Sequence, residues 1–323
     1  MAGGGNQVVT ADPQLPLRTG AWRRMRFATT CILIASALVF ICYSMRSQFA
    51  LFIQAMRDVE WWRVAAVVVV AVPMYVVKAL YHVRLLERFS GVRMARGKAV
   101  GVYLQAQVVR YLPGKVWGLL YQSGRMAGTI QPGVVVAANL WQMLITNALA
   151  LGVVGGVLLW GNHSPRWLLL TIGVIALVEA SHRWPIVESC VLGLIARLFP
   201  KLGATLPEGR LLPMRWSGTA MLCVEWIFFF LAFMVLLNGG QSVADTVVLG
   251  AWYGGASMVA LAAFVVPAGI AVREAIFVAA PSVVNLDAAY LMLVAALTRI
   301  AFLGAEVVAA LGATAFRVFR RHD

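Results

Sequence analysis

Charge is what this sequence has least of. Asp, Glu, Lys and Arg make up 12% of its 323 residues, where a soluble domain carries roughly 25%. Hydrophobic residues fill 61% of the positions. So few charges cannot coat a soluble surface of this size, which excludes a soluble enzyme and leaves no segment for a separate soluble catalytic domain. Cysteine is scarce too. Cys31, Cys42, Cys190 and Cys223 form no C-x-x-C pair, and Cys31 and Cys42 stand about three helical turns apart, too far to bridge. No disulfide framework or metal site is expected. The four histidines (His82, His163, His182, His322) show neither H-x-x-x-H nor H-E-x-x-H spacing, and each reads as the end of a membrane span. There is no G-x-S-x-G, no Walker A loop, no Asp-x-Asp pair and no Ser-His-Asp arrangement. Catalysis and cofactors are therefore not expected, and any transport is passive or ion-coupled.

Long apolar runs are present instead. Six are long enough to cross a bilayer, which takes about 20 residues: roughly 27–45, 62–82, 132–160, 166–181, 215–238 and 286–315. Two further stretches, 98–129 and 246–282, are apolar but interrupted by Pro, Gly and charge. Residues 1–22 read as a disordered tail, 23–316 as one transmembrane domain with halves near 23–160 and 166–316, and 317–323 as a basic tail. Arg18, Arg23, Arg24 and Arg26 precede an apolar run longer than a signal-peptide core, so an uncleaved first span is expected. The 185–199 stretch reads as a short helix on the membrane surface.

The excess of base is one-sided. The chain carries 27 Lys and Arg against 13 acids, a net charge of +14. In a soluble protein that balance points to nucleic acid. Here the bases flank apolar runs, so topology and anionic headgroups account for them, and no nucleic-acid partner is expected. The N-terminal tail, the 83–98 and 182–215 connections and the C-terminal tail hold seventeen Lys and Arg, against four on the opposite side at Arg46, Arg57, Arg63 and Arg166. Both termini are thereby expected in the cytoplasm. The count works if 98–129 dips in from the cytoplasm and 246–282 from the other side without crossing. The fold expected is an all-α polytopic membrane protein of about six full spans plus two re-entrant broken helices, arranged as an inverted repeat. The alternative is eight full spans.

The bases inside or beside the apolar segments are Lys78, Arg110, Lys115, Arg125, Arg273 and Arg299; the acids in comparable places are Glu225, Glu274 and Glu306. Charge at the bilayer centre costs at least about 2.5–3.5 kcal/mol per residue. The surplus of cations calls for an anion, and in a membrane the natural one is a lipid phosphate. Arg110-Tyr-Leu-Pro-Gly-Lys-Val-Trp-Gly118 is the sharpest signal. Pro113 and Gly114 break a helix and free backbone N–H groups where phosphate binds readily. Arg110 and Lys115 flank that point, and Trp117 and Tyr111 can pack on a headgroup or acyl chain. The competing reading is a kinked interfacial helix whose bases snorkel to headgroups; Arg125 is a site cation or a cytoplasmic flank. Pro267-Ala-Gly-Ile-Ala-Val-Arg-Glu274 repeats the logic. Arg273 and Glu274 diverge by about 100° on a helix and so need separate partners. Arg299 and Glu306 lie two turns apart near one face. Glu306 can anchor a cation from another helix, and Glu225 is a proton-coupling acid or the partner of Lys78. Gly152-Val-Val-Gly-Gly156 reads as a close helix contact.

At these two motifs the chain resembles the lysylphosphatidylglycerol synthase transmembrane, or flippase-like, family, whose blocks read R-(Y/F)-(L/I/V)-P-G-K-(V/I)-W/G-G and P-G-G-(L/I)-G-x-R-E. The first is matched closely. In the second, Ala268 and Ala271 stand where the pattern has glycine, while Pro267, Gly269, Arg273 and Glu274 are kept. The resemblance spans most of 25–320. It implies a multi-pass protein of a bacterial-type cytoplasmic membrane that translocates an anionic lipid or a polyprenyl-phosphate-linked sugar, without the synthase domain fused in bifunctional members. The alternative is an accessory subunit presenting a lipid-linked substrate to a partner synthase or glycosyltransferase.

Overall fold

The structure, a computed structural model, describes residues 59–111, 116–161, 164–198, 217–237, 241–262, 272–278 and 286–319, with a few isolated positions besides. Among these residues all regular structure is helical and no strand occurs. In chain order the described helices are α1 (Trp61–Ser90), α2 (Arg96–Val109), α3 (Trp117–Met126), α4 (Pro132–Gly161) and α5 (Arg166–Arg183), followed by α6 (Pro185–Leu198), α7 (Ser217–Leu237), α8 (Val243–Ala262), α9 (Val272–Val278) and α10 (Ala288–Phe319).

Four of these, α1, α4, α7 and α10, are long and apolar enough to cross a membrane. They match the runs expected at 62–82, 132–160, 215–238 and 286–315. Helix α5 coincides with the 166–181 run but is not among the four, and the 27–45 run lies outside the described residues. The fold is thus all-α, of the kind a membrane protein has. Helix α1 shows why lipid decides the secondary structure. Val67 to Val70 is a run of four β-branched residues inside a 30-residue helix, a composition that favours strands in water. In hydrocarbon each backbone donor and acceptor must be satisfied within the segment, so the helix wins. Arg84, Glu87 and Arg88 do not stop α1. Gly91 does: it adopts the left-handed conformation, φ 70°, and its N–H caps Glu87 O at 2.9 Å.

The neighbours along α1 fix the helix directions. Val64 and Val67 cluster with Phe233, Leu236 and Leu237, Lys78 meets Glu225, and Tyr81 clusters with Leu222. Helices α1 and α7 therefore run antiparallel. Val64 and Val67 also share a cluster with Leu297, Val68 abuts Gly304, and Ala79 clusters with Ala309 and Ala310, so α10 runs parallel to α1. The core has three parts along this axis. One end gathers the end of α1 with the starts of α2, α4 and α7; the other gathers the starts of α1, α8 and α10 with the end of α7. Tyr75, Tyr103, Leu104 and Ala305 lie between them.

Each interrupted stretch holds two described helices that pack together. Helices α2 and α3 have 14 and 10 residues, about 21 and 15 Å at 1.5 Å per residue, and pack against each other. Helices α8 and α9 have 20 and 7 residues and also pack together. The second break is the more lopsided.

Helices α4 and α5 make the close contact read from Gly152 and Gly156. A β-carbon at Gly152 would lie 2.5 Å from Val174 Cβ, and one at Gly156 would collide with Thr171 Oγ1. A branched Val side chain cannot swing aside. Gly152→Ala is expected to cost about 1–3 kcal/mol through overpacking, read as a lower melting temperature in detergent micelles.

Helix α6 was expected on the surface, and its Ile186 and Leu194 are exposed. Its Glu188 is not: the carboxyl is fully buried against Arg88 of α1. Arg88 Nε and Nη2 donate to Glu188 Oε2 at 2.8 and 2.6 Å, and Nη1 donates to the His182 carbonyl at 2.8 Å. That buried pair ties α6 to the bundle.

Candidate functional site

Arg110 sits at the point where α2 stops. Its N–H still bonds the Ala106 carbonyl at 3.1 Å, so it closes the last turn. Its side chain leaves the helix and meets α10. Arg110 Nη2 donates to Glu306 Oε1 at 2.7 Å, and Nη1 donates to Gln107 Oε1. The guanidinium lies 5.5 Å from the Tyr111 ring centroid. The two partners differ sharply in cover. The Glu306 side chain is 2% exposed and that of Arg110 44%. A charge bare of protein at membrane depth must face water, a headgroup or a ligand.

Gly118 closes the hairpin beside Arg110. A β-carbon there would lie 2.8 Å from the Ala106 carbonyl oxygen and 3.3 Å from Arg110 Cβ. The start of α3 can pass the end of α2 only because that position carries no side chain. Gly118→Ala is expected to push α3 off α2 and to lower thermal stability by about 1–3 kcal/mol. The check is the melting temperature in detergent micelles beside that of the unchanged chain.

The other residues singled out in the first motif are dispersed or beyond view. Pro113, Gly114 and Lys115 lie outside the described residues. Trp117 opens α3 and is exposed, and Arg125 is exposed in its last turn. At the second motif, Arg273 stands near the start of α9, half-buried, with its guanidinium 4.7 Å from the Tyr253 ring centroid. That cation–π contact places its charge on an aromatic cluster in which Tyr253 also meets Phe233 and Phe277. Glu274 follows it on α9. Pro267 and Gly269 lie outside the described residues. Arg299 is half-buried on α10, two turns before Glu306. Helix α10 packs against both α2 and α9, so it links the two broken segments.

A second interhelical ion pair lies across α1 and α7. Lys78 Nζ donates to Glu225 Oε1 at 2.8 Å, with side chains 29% and 14% exposed. Of the two roles open to Glu225, the structure supplies the partner.

One buried network has no counterpart in the sequence reading. His82, read as a span end, lies within α1 and is fully buried. Its Nδ1 meets Gln142 Oε1 at 2.7 Å and its Nε2 meets Gln122 Nε2 at 2.6 Å. Asn139 Nδ2 donates to Gln122 Oε1 at 2.8 Å. This fits a neutral ring, Nδ1–H donating to Gln142 and Nε2 accepting from Gln122. The network fastens α3, and with it the first broken segment, to α1 and α4. Three amides spread over two apolar helices were the only sequence signal, and none stands at a spacing that announces a partner. His182 belongs to another buried chain: it meets Tyr81 Oη at 2.9 Å and Thr219 Oγ1 at 3.0 Å.

Among the described residues no group of three or more His, Cys, Asp or Glu side chains is placed to hold a metal. The arrangement is suited to binding an anion at Arg110, held from behind by a carboxylate. Comparisons with protein-family models, curated proteins and solved structures find no match.

Proposed function

We propose that this chain translocates an anionic lipid, a phospholipid or a polyprenyl-phosphate-linked sugar, across the cytoplasmic membrane without hydrolysing ATP. The observation that carries the reading is Arg110: a cation at the break of a helix, compensated on one side by buried Glu306 and open on the other. A lipid phosphate satisfies the open side. Arg273, at the second break, and Arg299, between the two on α10, supply further positive charge along the way.

The architecture proposed is two inverted halves. Support comes from reciprocal packing. Helix α1 packs on its counterpart α7 antiparallel, and the contact of α2 with α10 is answered by that of α8 with α4. The pairs α1–α2 and α2–α3 are likewise answered by α7–α8 and α8–α9. The starts of α2 and α4 share one end of the core, and the starts of α8 and α10 share the other. A segment that begins and ends at one face dips in and returns. With the Lys and Arg bias, α2–α3 then enters from the cytoplasm and α8–α9 from outside, with both termini cytoplasmic.

Mass spectrometry of lipid extracted from the purified chain tests this. Anionic lipid enriched over the host membrane, and lost on Arg110→Ala, is the result expected. Lipid in host proportions, unchanged by the substitution, sinks the reading.

A further inference from the structure

Glu306 is buried, and its charged partner is Arg110. Its Oε1 accepts from Arg110 at 2.7 Å, and the phenols of Tyr75 and Tyr111 lie against the carboxylate. Arg110, by contrast, is open on its outer side. A ligand can therefore reach the cation but not the acid behind it.

Consider what happens when a phosphate takes the Arg110 donors. Glu306 then shares its cation and becomes a buried anion close to a second anion. Like charges at close range cannot both stay ionised away from water, and a carboxylate in that position takes a proton. The count then closes. Before binding the site holds Arg110 as a cation and Glu306 as an anion; afterwards it holds the cation, one phosphate anion and a neutral carboxylic acid. Its charge is zero in both states. Water supplies the proton, and the proton returns to water when the phosphate leaves.

The groups around Glu306 leave this role to it. Tyr75 of α1 and Tyr111, just past α2, adjoin the same pair, and free phenols hold their protons up to about pH 10. Lys78 of α1 is bound to Glu225 of α7. Arg273 of α9 lies on Tyr253, and Arg299 is two turns away on α10. Gln107 contacts Arg110 and does not titrate. Resting on the reading of Arg110 as the phosphate site, we propose that a lipid phosphate at Arg110 and a proton on Glu306 bind as one linked event, so that the headgroup enters the site with a proton.

The test uses the full chain in phosphatidylcholine nanodiscs with dioctanoyl phosphatidylglycerol as probe, a phosphodiester that stays anionic at and around neutral pH. A dye in weak buffer reports proton uptake. About one proton is expected per probe bound, and affinity falls about tenfold per pH unit as pH rises through neutrality. In Glu306→Gln, probe binding no longer varies with pH and takes up no proton. Wild-type binding with no proton uptake and a flat pH profile overturns the linkage and leaves the anion site standing. No binding by the wild type, or equal binding by Arg110→Ala, overturns the anion site and the linkage with it. Should Glu306→Gln fail to fold, the wild-type proton count decides alone.

Discussion

Arg110→Ala should abolish lipid translocation, and the protein should also lose stability, by about 3 kcal/mol. Removing one partner of a buried pair strands the other charge, which costs about 3–5 kcal/mol. The lower end applies because Arg110 is itself half-exposed, so screening already weakens the pair. The two losses have separate origins and so come apart in a double variant. Arg110→Ala with Glu306→Gln removes the stranded charge and should recover most of the stability, read as the melting temperature, while translocation stays abolished. Recovery of both would reduce Arg110 to a structural counter-ion. Recovery of neither would mean that Glu306 matters to the fold for a reason other than this pair.

Arg88→Ala should be the most destabilising single change among the described ion pairs. Its partner Glu188 has no exposed surface, and Arg88 makes three hydrogen bonds across two helices. Burial pushes the Glu188 carboxyl up to about 7 even with Arg88 drawing it down. Without Arg88 the proton is held more tightly still. A carboxyl whose proton the fold holds more firmly than the unfolded chain does adds stability at acid pH and loses it as pH rises through the folded value. The cost should therefore be modest near pH 5.5 and reach about 3–5 kcal/mol above pH 8. Arg88→Met with Glu188→Leu, which removes both charges, should restore stability and flatten its pH dependence. Thermal melts across that range distinguish the two variants.

The apolar runs and their breaks were legible because membrane depth imposes a local rule. Twenty apolar residues form a helix whatever their propensity, as the helix around Val67 to Val70 does; the Pro113-Gly114 pair itself lies outside the described residues. Helix α2 ends at Val109 and α3 begins at Trp117, on either side of that pair. Glu225 and Glu306 drew attention as acids in apolar helices, and both are found on cations from other helices. The extent of α1 was less legible. Arg84, Glu87 and Arg88 look like the end of a span, yet a helix continues into the interface at no cost and Gly91 alone ends it. What could not be read was anything set by distant neighbours. Glu188 and Arg88 stand 100 positions apart, and nothing in a short amphipathic helix marks one acid of its turn as buried. His82 likewise depends on two glutamines from α3 and α4 that share no motif with it.

Reconstitution tests the central claim most directly. The purified chain in phosphatidylcholine liposomes carrying a trace of fluorescent phosphatidylglycerol is treated with dithionite, which bleaches the outer leaflet alone. The account predicts that bleaching passes well beyond the outer-leaflet fraction with wild-type protein and stops at that fraction with Arg110→Ala. Bleaching that stops there for both, with polyprenyl-phosphate probes as well as phospholipid, would contradict it.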